Sequence, residues 1–497
     1  MIWPLTGYSI GWIPAWVAIA ALVVEVVIRL VAIGVIPGGR RPSTAMAWLL
    51  GVFLVPVVAL PLFAVLGTNR LSRRRQELQR EINEELAELL AGTDDGDLVL
   101  AHSRRLRATV DMNRRLGAFP VHLGNDLTLI SDYEETFRWM VEAIDSAESY
   151  VHMLFYMVSD DPDYAGPVWD ALDRATERGV AVRVLYDHVG TAQVRGYRAL
   201  RRRLDGSDIE FSPSLPLRVT RWRPSRPDLR NHRKILVVDG RQALTGSTNL
   251  IEPHYRRRSA IRMGRRWVEL NVVGTGPMVT SLDLVFASDW YMETSDDLRD
   301  VVRAEIDPAR HELTGSPVQV LPSGPGFPDE NNLRLFNDLI YRAVDRVAIC
   351  TPYFVPDDSL LYSVTSAVKR GVDVTLMICQ KADQVMIHHA QQSYLEELLE
   401  AGVRILRYPA PDVLHSKFVL VDRDILAIGS SNMDMRSFSQ NGEVTLMVLD
   451  PEVVRATDEV LADYASRSDE LELTRWRARP WYEKYLDNAF RLLSGLL

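Results

Sequence analysis

Two patterns of hydrophobic positions divide the chain. From Ile10 to Ile36 the residues are apolar except for Glu25 and Arg29, and Ala45 to Leu66 (AMAWLLGVFLVPVVALPLFAVL) carries no charge. Apolar runs of about twenty residues match the thickness of a bilayer core. The pattern therefore predicts two transmembrane helices, about 12–36 and 45–66, forming a hairpin within residues 1–70. Pro56 and Pro61 would cripple a helix in water but are tolerated in a membrane span. Trp3, Trp12 and Trp16 stand where an interfacial aromatic belt would lie. Glu25 and Arg29, four apart with the acid first, can pair on one helical face. No positive charge precedes the first run and no small-residue cleavage site closes it, which argues against a cleaved signal peptide.

Beyond the hairpin the period changes. Arg73 to about Leu90 reads as a charged helix ending at Thr93–Asp97 (TDDGD), inside a connecting segment 71–120. From about residue 120, strand-like and helix-like runs alternate: SYVHMLFYMV (Ser149–Val158), VWDALDRATERG (Val168–Gly179) and VAVRVLYD (Val180–Asp187). The same order returns in VAICTPYF (Val347–Phe354), LLYSVTSAVKRG (Leu360–Gly371) and VDVTLMIC (Val372–Cys379). Each helix closes on a glycine followed at once by an apolar strand. The expected class is α/β, with mixed sheets flanked by helices in two related, fused domains, 121–312 and 313–497.

The duplication is tightest around a short polar motif. His232, Lys234, Asp239, Gly246, Ser247 and Asn249 recur as His415, Lys417, Asp422, Gly429, Ser430 and Asn432, every pair 183 positions apart. A pseudo-twofold arrangement of two such halves would bring both copies to one central cleft. HRKILVVDG and HSKFVLVDR read as apolar strands, in which positions i and i+2 share a face, so each His has its Lys beside it. Two imidazoles and two ammonium groups suit displacement at a phosphodiester. One imidazole attacks phosphorus, and the other protonates the leaving alkoxide and then deprotonates the incoming alcohol. Lys234, Lys417, Asn249 and Asn432 can hold the non-bridging oxygens without a metal or cofactor, with Ser247 and Ser430 beside them. Glu269 and Glu443, each one strand downstream of a motif, are the expected carboxylates that orient the imidazoles. Asp239 and Asp422 complete the motif at strand ends, where a structural role is expected.

Composition sharpens this reading. Of 57 basic residues only five are lysine (Lys234, Lys369, Lys381, Lys417 and Lys484), yet lysine is kept in both motif copies. A slot that keeps lysine in so arginine-rich a chain calls for a compact ammonium, not a planar fork. The net charge of -9 argues against a protein that coats nucleic acid. Cys350 and Cys379 lie in apolar runs and read as buried thiols, and no zinc-ligand spacing is present. Arg40 and Arg41 lie in the hairpin loop and Arg70, Arg73, Arg74 and Arg75 follow it, which places the remainder of the chain in the cytoplasm of a multi-pass plasma-membrane protein.

At these motifs the chain resembles the phospholipase D superfamily, with its two HxKxxxxDxxxxxxGSxN signatures, and within it the bacterial cardiolipin synthases. The second apolar run and its lead-in (RRPSTAMAWLLGVFLVPVVALPLFAVLG), ERGVAVRVLYDHVGT, LRNHRKILVVDG, TPYFVPDDSLL, KRGVDVTLMI, SYLEELLEAGVRI and SNMDMRSFSQNGE match that family in order. The resemblance implies two phospholipase D-like α/β sandwich domains behind a membrane hairpin. It also implies metal-free transfer of a phosphatidyl group between two phosphatidylglycerols through a phosphohistidine, giving cardiolipin and glycerol. By analogy His232 is the nucleophile and His415 the acid/base. The implied partners are phosphatidylglycerol and the bilayer, with neither nucleic acid nor an obligate protein. The chain departs from the family where IEPHY replaces an acidic DEY, leaving Glu252 in the acidic place. It departs again in the 20 residues from Asn249 to Glu269, against 11 from Asn432 to Glu443, the excess being RRRSAIRMG.

Hydrolysis by water, transfer to another alcohol and cleavage of nucleic acid are the alternatives for the same constellation. The acidic balance and the hairpin disfavour the last. His152 is expected to be packed in a strand, and His388 and His389 to start a solvated helix. His254, the arginines Arg256 to Arg258 and Tyr353 remain open between cleft and surface roles.

Overall fold

The computed structural model describes residues 14–40, 42–67, 73–89, 104–217, 226, 228–304, 314–327 and 329–492. Trp3, Trp12, Arg41, Arg70 and the stretch 93–97 lie outside them. The chain forms two compact units, dividing after position 69.

The N-terminal unit contains helices Ala15–Val35, Pro42–Leu54 and Pro56–Leu66. The expected continuous second span is thus broken. Proline removes a backbone donor and drives the preceding residue out of the helical region, and Val55 accordingly sits at φ -139°, ψ 67°. Among the described residues no helix is long and apolar enough to cross a membrane. Glu25 and Arg29 pair as expected. Ala32, Ile36, Ala45, Val52 and Ala59 form the small buried centre of this unit, while Leu22, Leu30, Leu50 and Val57 point outward, 61%, 64%, 61% and 84% exposed.

The larger unit is organised by a continuous sheet of sixteen strands. At its centre Ser316–Ser323 runs antiparallel to Val121–Ile130. Outward on one side come Asn271–Thr275, Gln242–Gly246, Ile235–Val238, Tyr150–Phe155, Ala181–Asp187 and Glu210–Ser214. On the other come Asn441–Val448, Ile425–Gly429, Phe418–Val421, Arg346–Cys350, Asp373–Cys379 and Arg404–Tyr408. The two series match strand for strand, in order and in direction. Each has antiparallel pairs nearest the centre and parallel pairs at the margin. Both motif strands lie four places from the centre, so the duplication in sequence is a pseudo-twofold in space.

The charged helix expected after the hairpin is present as Arg73–Leu89. It is docked, since Ile82 enters the core and Arg75 makes a two-pronged ion pair with Glu293, at 3.0 and 2.7 Å. His152 is fully buried between Asp283, 2.7 Å from its Nδ1, and the face of Phe286, the packed role expected of it. His389 is not solvated as expected. It contacts Asp487 at 2.8 Å and stacks on Phe490, because the C-terminal helix Trp481–Arg491 covers the helix that carries it.

Candidate active site

The two motif copies reach each other because their lead-in segments cross between halves. Arg230–Asn231 pairs in parallel with Asn441–Gly442, and the His232 N–H donates to Gly442 O at 2.8 Å. Symmetrically, Val413–Leu414 pairs with Trp267–Val268, and the His415 N–H donates to Val268 O at 2.7 Å. The orienting carboxylates are therefore exchanged. His232 Nδ1 lies 3.0 Å from both oxygens of Glu443, and His415 Nδ1 lies 2.9 and 2.8 Å from those of Glu269. Each imidazole depends on a carboxylate from the other half, a pairing that spacing along the chain does not reveal. With Nδ1–H donated to carboxylate, Nε2 is the atom available to substrate.

Lys234 and Lys417 are buried, and each ammonium donates to the carbonyl of its own histidine, Lys234 Nζ at 2.5 Å from His232 O. Burial lowers the pKa of Lys234 to about 7 and of Lys417 to about 8; Glu443 and Glu269 counteract it from across the cleft. Burial likewise lowers His232 to about 4, against the attraction of Glu443, and moves His415 in the same direction against Glu269. For the two glutamates burial works upward, but the paired histidines, the lysines and the hydroxyl partners outweigh it, and both carboxyls fall below their usual range. At neutral pH the site thus holds ionised carboxylates and neutral imidazoles. Lys417 acts on His232 and Lys234 on His415, so the six groups share one electrostatic centre.

Ser430 donates to Glu443 at 2.6 Å and accepts the Val444 N–H at 3.0 Å. The preceding glycine makes this approach possible, because a Cβ on Gly429 would stand 2.1 Å from Val444 O. Ser247 takes the equivalent place beside Leu270 and helps to hold Glu269 ionised. Asn249 accepts the Met157 N–H at 3.1 Å and donates to Tyr255 Oη at 2.9 Å, and Tyr255 in turn donates to Glu269 at 2.8 Å. The buried side-chain oxygen of Asn432 has no hydrogen-bond partner among the described residues. The halves are therefore inequivalent: Glu269 has a tyrosine hydroxyl, whereas at the 183-residue offset from Tyr255 stands Phe438.

Asp239 and Asp422 lie at the far ends of their strands. Asp239 accepts the N–H groups of Glu148, Ser149 and Tyr150 at 2.7–2.8 Å, and Asp422 those of Val344, Asp345 and Arg346 at 2.8–3.2 Å. Both adopt a left-handed backbone, φ 52° and 53°, which aspartate tolerates better than most residues. Asp239→Ala and Asp422→Ala are each expected to remove about 2–3 kcal/mol of stability. Thermal unfolding should show the loss while kcat per folded molecule stays close to wild type; a collapse of kcat in well-folded protein would place them in the chemistry instead.

Three contributors have no signal in the motif. The Tyr156 ring meets His232 edge-on at 4.8 Å and lies 5.5 Å beneath Lys234 Nζ. Tyr255 sits in the segment unique to the first half. Arg233, between His232 and Lys234, turns to the opposite side, where it pairs with Asp289 and donates to Glu443 O at 3.0 Å. It lines a cavity of about 230 Å³ with Arg114, Phe119 and Phe327, behind the motif strand and apart from the imidazoles. Glu252 organises the turn into Tyr255 by accepting the N–H groups of His254 and Arg256 at 2.8 and 2.5 Å. The His254 ring packs against Arg265 O at 2.7 Å. Tyr353 is buried with its hydroxyl on Asp383, and both cysteines are buried and free. Among the described residues no group of three or more His, Cys, Asp and Glu side chains could hold a metal ion.

Paired H-x-K segments, each leading into a strand about a pseudo-twofold, define the phospholipase D class. A family model described as cardiolipin synthase, PLD-like domain, matches twice, at residues 140–290 and 336–464. Cardiolipin synthase A of Yersinia pseudotuberculosis serotype IB (strain PB1/+) is 33% identical over 488 residues, 97% of each chain. That of Yersinia pestis bv. Antiqua (strain Angola) gives the same identity and coverage. The phosphatidylserine synthase of Haemophilus influenzae Rd KW20 superposes with a TM-score of 0.58 at 16% identity, covering 80% of this chain and 100% of its own, a likeness of fold. The chain belongs to the cardiolipin synthase family of the phospholipase D superfamily. It is an enzyme, a phosphatidyltransferase acting on phospholipid.

Proposed function

We propose that the protein joins two phosphatidylglycerol molecules into cardiolipin and glycerol through a phosphatidyl–His232 intermediate. The observation that carries this reading is the pair of crossed His–Glu dyads over two buried lysines. His232 Nε2 attacks phosphorus; an N–P bond forms, the P–O bond to glycerol breaks, and His415 supplies the proton that glycerol carries away. His415 then takes the proton of a hydroxyl on the second phosphatidylglycerol, whose oxygen displaces His232 to give cardiolipin. The added Tyr255 partner on Glu269, absent from Glu443, distinguishes the His415 side and favours this division of roles. Purified enzyme given headgroup-labelled phosphatidylglycerol should release labelled glycerol alongside cardiolipin; phosphatidic acid as the main product would assign hydrolysis instead.

Charge balance supports the same scheme. Both carboxylates are ionised while Lys234, lowered to about 7, is only partly protonated at neutral pH, so an entering phosphodiester anion adds uncompensated negative charge to the buried site. Anion binding should favour the protonated forms of His415 and Lys234 and so take up protons near pH 7. Calorimetric titration with orthovanadate in buffers of different ionisation enthalpy measures this uptake; an enthalpy independent of buffer would refute it.

The N-terminal unit is read as a membrane anchor, with the catalytic unit on the cytoplasmic face of the bacterial plasma membrane. Apolar side chains facing outward around a centre of three alanines, Val52 and Ile36 suit helices packed in lipid. Resistance of the protein to alkaline carbonate extraction from membranes, lost on deletion of residues 1–69, tests the anchoring.

A further inference from the structure

The segment RRRSAIRMG, Arg256 to Gly264, has no counterpart in the second half. It leaves the core at Tyr255 and returns at Trp267, whose rings stack at 4.4 Å, so it is rooted beside the His415–Glu269 dyad. Within its short helix, Arg258–Met263, Ala260 is buried, whereas Ile261 and Met263 are 53% and 48% exposed. The segment is tied to the other half by Arg257, which pairs with Asp383 at 2.8 Å. Two and three residues beyond Asp383 stand Val385 and Met386, 69% and 43% exposed. Four apolar side chains thus lie in solvent on two segments joined by the Arg257–Asp383 pair. Arg258, Arg262 and Arg266 are exposed with them, and among the described residues none has a carboxylate within ion-pair distance.

Exposed apolar groups gain by entering the acyl boundary of a bilayer, and guanidinium groups gain at a negatively charged headgroup layer. A nucleic acid would satisfy the arginines and leave the apolar side chains in water. We propose that Arg256–Gly264, with the start of helix Val385–Ala401, docks the catalytic cleft onto an anionic phospholipid surface and delivers headgroups at the His415 side. The proposal rests on the phospholipid-transfer reading for its purpose, though the surface is testable without turnover.

Both native cysteines are buried, so Ile261→Cys provides a single accessible thiol for an environment-sensitive fluorophore on the full-length protein. In phosphatidylglycerol vesicles the emission should shift to the blue and be quenched by lipids spin-labelled near the headgroup. Phosphatidylcholine vesicles, or Arg258→Glu/Arg262→Glu in the labelled protein, should abolish the response. Absence of quenching in the anionic vesicles, or equal quenching in both, overturns the proposal. As a second measure, Ile261→Asp/Met263→Asp should raise KM for vesicle-borne phosphatidylglycerol about tenfold, leaving kcat/KM for a monomeric short-chain analogue unchanged; equal loss on both substrates counts against docking. A label that enters lipid in a protein unable to transfer phosphatidyl groups refutes the transfer reading alone. A label that stays in water while cardiolipin forms refutes the surface alone.

Discussion

His232→Ala and His415→Ala are each expected to reduce cardiolipin formation by about 10⁴-fold, because in the proposed scheme each removes a group that makes or breaks a bond at phosphorus. The two losses should differ in where the reaction stops. With a lipid bearing an activated leaving group, such as a p-nitrophenyl ester, no acid is needed for departure. His415→Ala should then still form the phosphatidyl adduct on His232, visible as a mass increment on that peptide, and stall there. His232→Ala should form none. Substantial synthesis by either variant would mean that the copies work separately, contrary to a centre in which Lys417 acts on His232 and Lys234 on His415.

Glu443→Gln and Glu269→Gln should each cost roughly 10²–10⁴-fold, since an amide cannot hold the imidazole in the required tautomer or stabilise its protonated form. The crossed hydrogen bonds dictate which half-reaction each change affects. Glu443→Gln should behave as a lesion of His232 and block adduct formation even from the activated lipid. Glu269→Gln should behave as a lesion of His415, with adduct formed and its breakdown slowed. The opposite assignment in adduct trapping would contradict the exchange of carboxylates between halves. Circular dichroism and thermal unfolding of both variants separate a chemical effect from lost folding.

Much of this site is legible along the chain because the needed residues recur at a constant offset. His232 with Lys234 and His415 with Lys417 recur two apart, but the strands expected to carry them begin only at Ile235 and Phe418, so each pair lies in the short link between a crossing lead-in and its motif strand. Glu269 and Glu443 are legible as the next carboxylates downstream, but not their partners. The strand pattern of either half says nothing about lead-in segments Arg230–Asn231 and Val413–Leu414 crossing to pair with the opposite half. Tyr156 and Tyr255 carry no periodic mark and become site residues only through contacts at 4.8 Å and 2.8 Å. His389 misled because its partner, Asp487, is 98 residues away and nothing local announces it. Pro56 is visible along the chain and is tolerated in a membrane span; that one helix stops at Leu54 and the next starts at Pro56 shows only in the backbone of Val55.

The sequence by itself determined the reacting groups, their number and their duplication, because side-chain chemistry and strand periodicity are local properties. Only the tertiary structure decided that each imidazole answers to a carboxylate of the other half and that the two lysines are buried between them. Those depend on contacts across about 150 to 210 positions, and there burial lowers the histidines and lysines while their company keeps the two carboxylates ionised.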